Sequence, residues 1–263
     1  LASPSSNLES WKYTDMSKIN FEDFAPKEQD ISFDFPEEAK KKGVVFTRIK
    51  EAIDTYPDLI GKNLPMGIAA YDEDKFIAMH AAFWNDGIFI YVPKNVKLKT
   101  PLKNRFFVTG KGGIFNHTLI VLDDGSEIKY IEEHESQEGR YVCMRNDIVE
   151  IYSHPNSKLE FYNLQKWKEN VINIANWRAF LNRDAKINWV FGQFGGKVSR
   201  IKIDTFFSGS GSESLQRGVF FGGNNQHFDF TTNVFHNVKG TNCDILVKGV
   251  LDSVQVISKM IFG

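Results

Sequence analysis

The side chains suited to metal or proton chemistry crowd into one run, Arg217 to Val250 (RGVFFGGNNQHFDFTTNVFHNVKGTNCDILVKGV), which holds His227, Asp229, His236 and Cys243. Imidazole, carboxylate and thiolate bind iron or zinc and relay protons. Their spacing decides whether they converge. Side chains alternate faces along a strand. From Gln226 the even positions are Phe228, Phe230, Thr232 and Val234, and the odd ones are His227, Asp229, Thr231 and Asn233. His227 and Asp229 therefore share an outward polar face, where a shared proton, a metal or a partner contact is open to them. Two aligned ligands fall short of the three or four a metal site takes, so the row reads first as a soluble strand face or a subunit interface. His236 stands at odd separation from His227 and, on an unbroken strand, belongs to the apolar face as a hydrogen-bonded interior or turn histidine. A bulge near Thr232 would reverse that. Cys243 is in phase with Ile245 and Val247, which places it inside as a small hydrophobe. As a thiolate it would be a soft ligand for iron or sulfur.

Other motifs resolve into negatives. Cys143 has no CxxC partner, so this chain cannot assemble a local four-thiolate site. Gly209-Ser-Gly211-Ser-Glu-Ser214 lacks the third glycine and the following helix of a dinucleotide fingerprint, and no GxxxxGK[ST] loop exists. Glu132-Glu133-His134-Glu135 is an acidic patch with one histidine, read as a solvated loop after a strand ending at Ile131. Asp123-Asp124 sits at a turn with Asn156 and Ser157 taken as its counterparts one repeat later. A carbohydrate-active enzyme would need a second carboxylate pair in that register.

The elements that must position these residues are mostly strands. The chain has 263 residues and 23 Phe against 5 Met, and large flat side chains suit strand-rich interiors. From Asn85 onward, two-residue alternation is broken by turn residues at Gly125, Asn156, Ala185, Gly211 and Gly240, a period of roughly 30 residues. Each unit offers two short strands with one apolar face, and stacking the units builds a continuous interior, the logic of a β-solenoid. A two-sheet sandwich is the alternative; the absence of a six-residue apolar period argues against a left-handed hexapeptide helix. Residues 1–84 form a small N-terminal helical region, with helical spacing at Ile49, Ile53 and Tyr56 and a second helix over Leu64 to Phe83. Residues 85–263 form the solenoid core, which stops mid-pattern at Gly263 and so is truncated or uncapped there.

A net charge of -1 and a pI near 6.7 supply no footprint for nucleic acid or anionic membrane. No apolar run approaches a bilayer span, and the N-terminus lacks the n- and h-regions of a secretory signal. Two cysteines a hundred positions apart fit a reducing compartment, so cytoplasm is the expected location.

Four pieces carry a family resemblance: Glu9-x-Trp11-Lys12-Tyr13-Thr14; Phe83-x-Asn85-Asp86-Gly87-Ile88-Phe89-Ile90-Tyr91-Val92-Pro93; Gln226-His227-x-Asp229 with His236; and Lys248-Gly249-Val250-Leu251-Asp252. In this order, over nearly the whole chain, they resemble the SufB/SufD family, and the Trp-Lys-Tyr-Thr start is closer to the SufD branch. The resemblance implies a right-handed β-helix core flanked by helical regions. It implies a scaffold role in iron–sulfur cluster assembly, in a complex with a SufC-type ABC ATPase and a SufB-like subunit, or as a homodimer. A C-terminal helical region carrying the ATPase contact and the family's cluster-building Cys and His positions is expected beyond Gly263, so those roles are carried over onto no residue here. No catalytic residue or bound cofactor is assigned to this chain, and an iron–sulfur cluster would belong to the assembled complex. The other readings are a β-solenoid carbohydrate-active enzyme and a pure protein-interaction module.

Overall fold

The computed structural model describes residues 4–5, 7–17, 19–63, 73–223 and 225–252. Its organising element is a parallel ladder. After β1 (Asp30–Asp34) and β2 (Val45–Arg48) come β3 (Asp86–Val92), β4 (Leu102–Val108), β5 (Gly112–Leu122), β6 (Glu127–Ser136), β7 (Cys143–Ser153), β8 (Lys158–Trp167), β9 (Val171–Leu181), β10 (Lys186–Gly195), β11 (Val198–Phe207), β12 (Glu213–Gly223), β13 (His227–His236) and β14 (Asn242–Asp252). From β3 on, successive strands alternate between two sheets, and within each sheet every strand pairs in parallel with the one two places along. That topology is a β-solenoid of about six turns rather than a sandwich of hairpins. The first sheet runs β2-β3-β5-β7-β9-β11-β13 and the second β1-β4-β6-β8-β10-β12-β14.

Register is kept at one corner by a left-handed residue in every coil: Asn95, Gly125, Asn156, Asp184, Gly211 and Gly240 all have φ between 56° and 72°, or 76° at Gly211. Asn, Asp and Gly are the types that tolerate this conformation. Each of the first five donates its N–H to a carbonyl of the next coil, as in Gly125 N to Pro155 O and Asn156 N to Arg183 O, both 2.9 Å. The fourth turn differs by one position from the sequence reading: Asp184 is the left-handed residue. Ala185 is fully buried where the other coils place Ser126, Ser157 and Ser212.

Between the sheets the inward positions stack rung upon rung. Tyr130 lies on Phe161 one coil along (5.4 Å between centroids), and across the interior Trp177 of the first sheet stacks on Trp189 of the second (6.1 Å). The outward face of the second sheet carries cross-strand ion pairs, Lys103–Glu133 (3.0 Å), Lys129–Glu160 (3.4 Å) and Lys186–Glu213 (2.9 Å) among them. Exposed pairs of this kind contribute little stability, but they keep that half of the face soluble.

The segment before Asp86 is not purely helical. It adds β1 and β2 antiparallel to the two sheets. It also contains α1 (Glu37–Lys41), α2 (Ile49–Thr55), α3 (Pro57–Asn63) and α4 (Lys75–Phe83). The expected second helix is seen as α4, started by Asp74, whose carboxylate accepts from Phe76 N and Ile77 N; residues 64–72 lie outside the described residues. α2 packs Ile49 and Ala52 on Phe89, Leu119 and Val121 of the first sheet's outer face. No helix among the described residues is long and apolar enough to cross a membrane.

Gly87, in the Asn-Asp-Gly motif, has φ 149°, and a Cβ there would lie 2.0 Å from His117 O on the neighbouring strand. The motif glycine lets β3 approach β5 at its first rungs. Gly87→Ala is expected to cost about 2–4 kcal/mol, read as a lower urea midpoint with unchanged m; an unchanged midpoint would show the strand start to be loose.

Candidate functional site

β13 runs without a bulge, in register with β11 from Val198↔His227 to Phe207↔His236. The alternation therefore holds, and His227 and Asp229 share the outer face. That face is not exposed. The segment carrying Trp11 to Thr14 lies across it: the Thr14 hydroxyl donates to Asp229 Oδ2 at 2.6 Å and sits 2.8 Å from His227 Nε2, the donor in the matching tautomer. Arg200, one rung away, donates from Nε to Asp229 Oδ2 at 3.2 Å and stacks its guanidinium 3.8 Å above the Trp11 ring centroid. Trp11, Thr14 and Asp229 are buried. The Trp-Lys-Tyr-Thr and Gln-His-x-Asp motifs are thus two halves of one contact, more than two hundred residues apart in sequence. Burial pushes the His227 pKa down against the pull of Asp229.

His236 keeps the inward phase but ends its strand, where it is exposed, 2.6 Å from Thr241 Oγ1 and packed on the Phe207 ring. It is a turn histidine. Cys243 faces inward, half-buried against the core on the last strand, and burial raises its thiol pKa. The four candidates do not converge on one point: Thr14 engages His227 and Asp229, while His236 and Cys243 sit elsewhere. Cys143 is buried beside Val108, Ile114, Trp167 and Val171, and its pKa is raised by burial.

The ionisable cluster lies inside the solenoid. The acidic patch is no loop: β6 continues through Ser136, and the phase set by Ile128 and Tyr130 carries Glu132 and His134 into the interior, both fully buried. Arg145 and Asp147 enter from the opposite sheet by the same alternation. Glu132 Oε1 lies 2.8 Å from His134 Nε2 and 3.6 Å from Arg145 Nη2, the same nitrogen that donates to Asp147 Oδ1 at 2.9 Å. Around them, Tyr130 donates to Asn104 Oδ1 (2.6 Å), Trp177 to Asp147 Oδ2 (3.2 Å), and Asn163 Nδ2 lies 3.1 Å from His134 Nε2. Phe106 and Trp167 flank the Arg145 guanidinium at 5.4 and 5.7 Å.

Burial sets the protonation. Desolvation lifts Glu132 to about 7 against the opposing pull of Arg145 and the Tyr130 hydroxyl, and it raises Asp147 as well. Desolvation, reinforced by Arg145, holds His134 neutral, well below its usual range. One guanidinium faces two carboxylates, so near pH 7 a single proton makes the cluster neutral. Desolvation places that proton on Glu132, while His134 Nε2 takes its hydrogen bond from Asn163 Nδ2 in the tautomer that leaves Nε2 unprotonated. The arrangement can gain or lose one proton without solvent exposure. Gln165, Gln193 and Gln216 continue the polar interior into later coils, each with a buried side-chain atom that has no protein partner.

A third group is brought together at the turn corner. Asp123, Asp124 and His154 offer ligand atoms within 4.8 Å of one another. The coil-to-coil bond from His154 N to Leu122 O makes His154, rather than Asn156, the neighbour of Asp123. Lys94 already stands 3.3 Å from Asp124.

Glu132 is protonated in the fold and ionised in the unfolded chain between about pH 4.3 and 7. Its contribution to stability is therefore full below that window and lost as pH rises through it. Glu132→Gln should show no such loss, so its thermal midpoint should gain on the parent between pH 5 and pH 8. A pH-independent difference would mean that Glu132 is ionised in the fold. Thr14→Val removes the strap's polar anchor and is expected to cost about 1–3 kcal/mol, with faster amide exchange over residues 9–16. Lys12→Ala, at an exposed position, should do neither. Parent-like exchange in Thr14→Val would show that Trp11 alone holds the strap.

Comparison with known families matches residues 106–262 to the SufBD core domain of SUF-system FeS cluster assembly and residues 30–103 to the SufBD protein N-terminal region. An iron–sulfur cluster assembly SufBD family protein of Staphylococcus aureus (strain MRSA252) is 30% identical over 214 residues, 81% of this chain and 46% of that protein. Another from Staphylococcus haemolyticus (strain JCSC1435) is 29% identical over the same shares. The chain spans about half the length of the curated relatives it matches. With a two-sheet solenoid and a core match over more than half its length, the chain belongs to the SufBD family of iron–sulfur cluster assembly proteins.

Proposed function

We propose that this chain is a SufD-like, non-catalytic scaffold subunit of the iron–sulfur assembly machinery, acting with a SufC-type ABC ATPase and a SufB-like paralogue, or paired with a second copy of itself. The observation that carries the reading is the seating of the Trp11–Thr14 segment, the part closest to the SufD branch, on the His227–Asp229 motif of the family core. Its role is positional. The strands from Asp86 to Asp252 form a stiff β-helix core, and the described part of the N-terminal segment covers the outer face of its first sheet. β13 and β14 each have one strand neighbour among the described residues. The cluster is cargo of the assembled complex, and no side chain of this segment is assigned to hold it. Cytoplasm is the compartment, with no nucleic acid or membrane as partner. A carbohydrate-active role is disfavoured because the inner carboxylates, Glu132 and Asp147, are closed off from any polymer.

The test is co-expression of the full-length protein with an ABC-type ATPase subunit and a SufB-like protein, followed by size-exclusion chromatography with mass measurement. Co-elution in defined stoichiometry is expected. If none of the three associate, with each folded, the reading fails.

A further inference from the structure

At the second corner, where each coil returns from the second sheet to the first, four successive turns line an open cleft of about 640 Å3. That is the size of a small-molecule site. Three cations reach it from three different turns: Arg140 between β6 and β7, Lys168 after β8 and Lys197 after β10. On the outer face of the second sheet, Lys103, Lys129, Lys158 and Lys186 each meet a carboxylate on a neighbouring strand. Arg140, Lys168 and Lys197 have no ion pair among the described residues, although Glu138 and Glu169 line the same cavity. Three cations against two carboxylates give the cavity a net positive lining, which raises the local concentration of anions, and a guanidinium matches carboxylate or phosphate oxygens two at a time.

The remaining lining says more about the ligand. Trp167 supplies an apolar wall, buried and fixed by its indole N–H donating to Gln165 Oε1 at 2.9 Å. Asn170 ties two of the turns together by donating from Nδ2 to Tyr141 O at 3.0 Å. The geometry points to this corner as a binding site for a small anionic molecule. Its carboxylate or phosphate is held by Arg140, Lys168 and Lys197, and its carbon frame lies against Trp167. The site does not depend on the assembly role proposed above, since it would stand on any protein with these turns.

The experiment titrates the full chain with inorganic phosphate, citrate and phenyl phosphate by calorimetry, with indole fluorescence compared against Trp167→Phe. Saturable one-to-one binding is expected, weakened about tenfold by Lys168→Glu or Lys197→Glu, the weight of one charge-assisted hydrogen bond, and weakened by added salt. Both lysines are exposed, so circular dichroism and the thermal midpoint should match the parent. Lys186→Glu, outside the cavity, should bind like the parent. Phenyl phosphate should bind more tightly than phosphate, and the preference should shrink in Trp167→Phe. No saturable binding of any probe up to about 10 mM, or equal affinity in both charge reversals, would overturn the site. Equal affinity for the two phosphates would remove Trp167 from it.

Discussion

In-register parallel stacking is the constraint on which the rest of this molecule depends. In a solenoid every inward side chain lies directly over its counterpart one coil along, so no interior residue chooses its surroundings alone. Three aromatics stack along the rung Tyr130–Phe161–Trp189. A polar group placed inside must find polar groups on adjacent rungs or remain unpaired at a cost of about 1–3 kcal/mol. The rungs Asn104–Glu132–Asn163 and His134–Gln165–Gln193 place polar group over polar group, with both side-chain ends of Gln193 left unpaired, and together they turn one side of the interior into a polar seam.

The same geometry explains why the N-terminal segment is part of the fold rather than an ornament. The outer face of the first sheet is apolar over Phe115, Met144, Ile172 and Ile174, and no coil can cover it because each coil's outer face points away from the stack. Trp11, Met16, Phe24 and Phe76 cover it from the N-terminal side. Where the sheet turns polar, at Arg200, His227 and Asp229, the strap answers with the Trp11 ring and the Thr14 hydroxyl. A row of His and Asp that would be hydrated on a free strand is thereby closed off at the cost of a few exact hydrogen bonds.

Much of this was legible from residue order. The period of the turn residues and the two-residue alternation carry the solenoid, and parity correctly separates His227 and Asp229 from His236 and Cys243. What could not be read is which outward face another segment covers, because Thr14 and Asp229 meet only after the whole chain has wound between them. Glu132 and His134 are different: their signal was present. They continue the parity of Ile128 and Tyr130, and charge alone made them look like a loop. In a stacked fold, phase outranks polarity, since a residue cannot leave its rung without breaking the ladder hydrogen bonds on both sides. The turn at Asp184 shows the smaller error, in which Ala185, a buried spacer, was taken for the left-handed residue beside it.

The interior cluster also limits what kind of explanation it can receive. A buried guanidinium with two carboxylates is not a source of net stability: well-packed apolar side chains of similar volume are usually as stable or more so, while deletion of one partner costs about 3–5 kcal/mol. Arg145 is wrapped by Phe106 and Trp167 in a core that elsewhere packs aromatic on aliphatic without difficulty. Stability therefore does not account for Glu132, His134, Arg145 and Asp147 in place of four hydrophobes. Their distinguishing property is a carboxyl group that titrates near pH 7 beside a neutral imidazole, on a scaffold too stiff for either to escape to water.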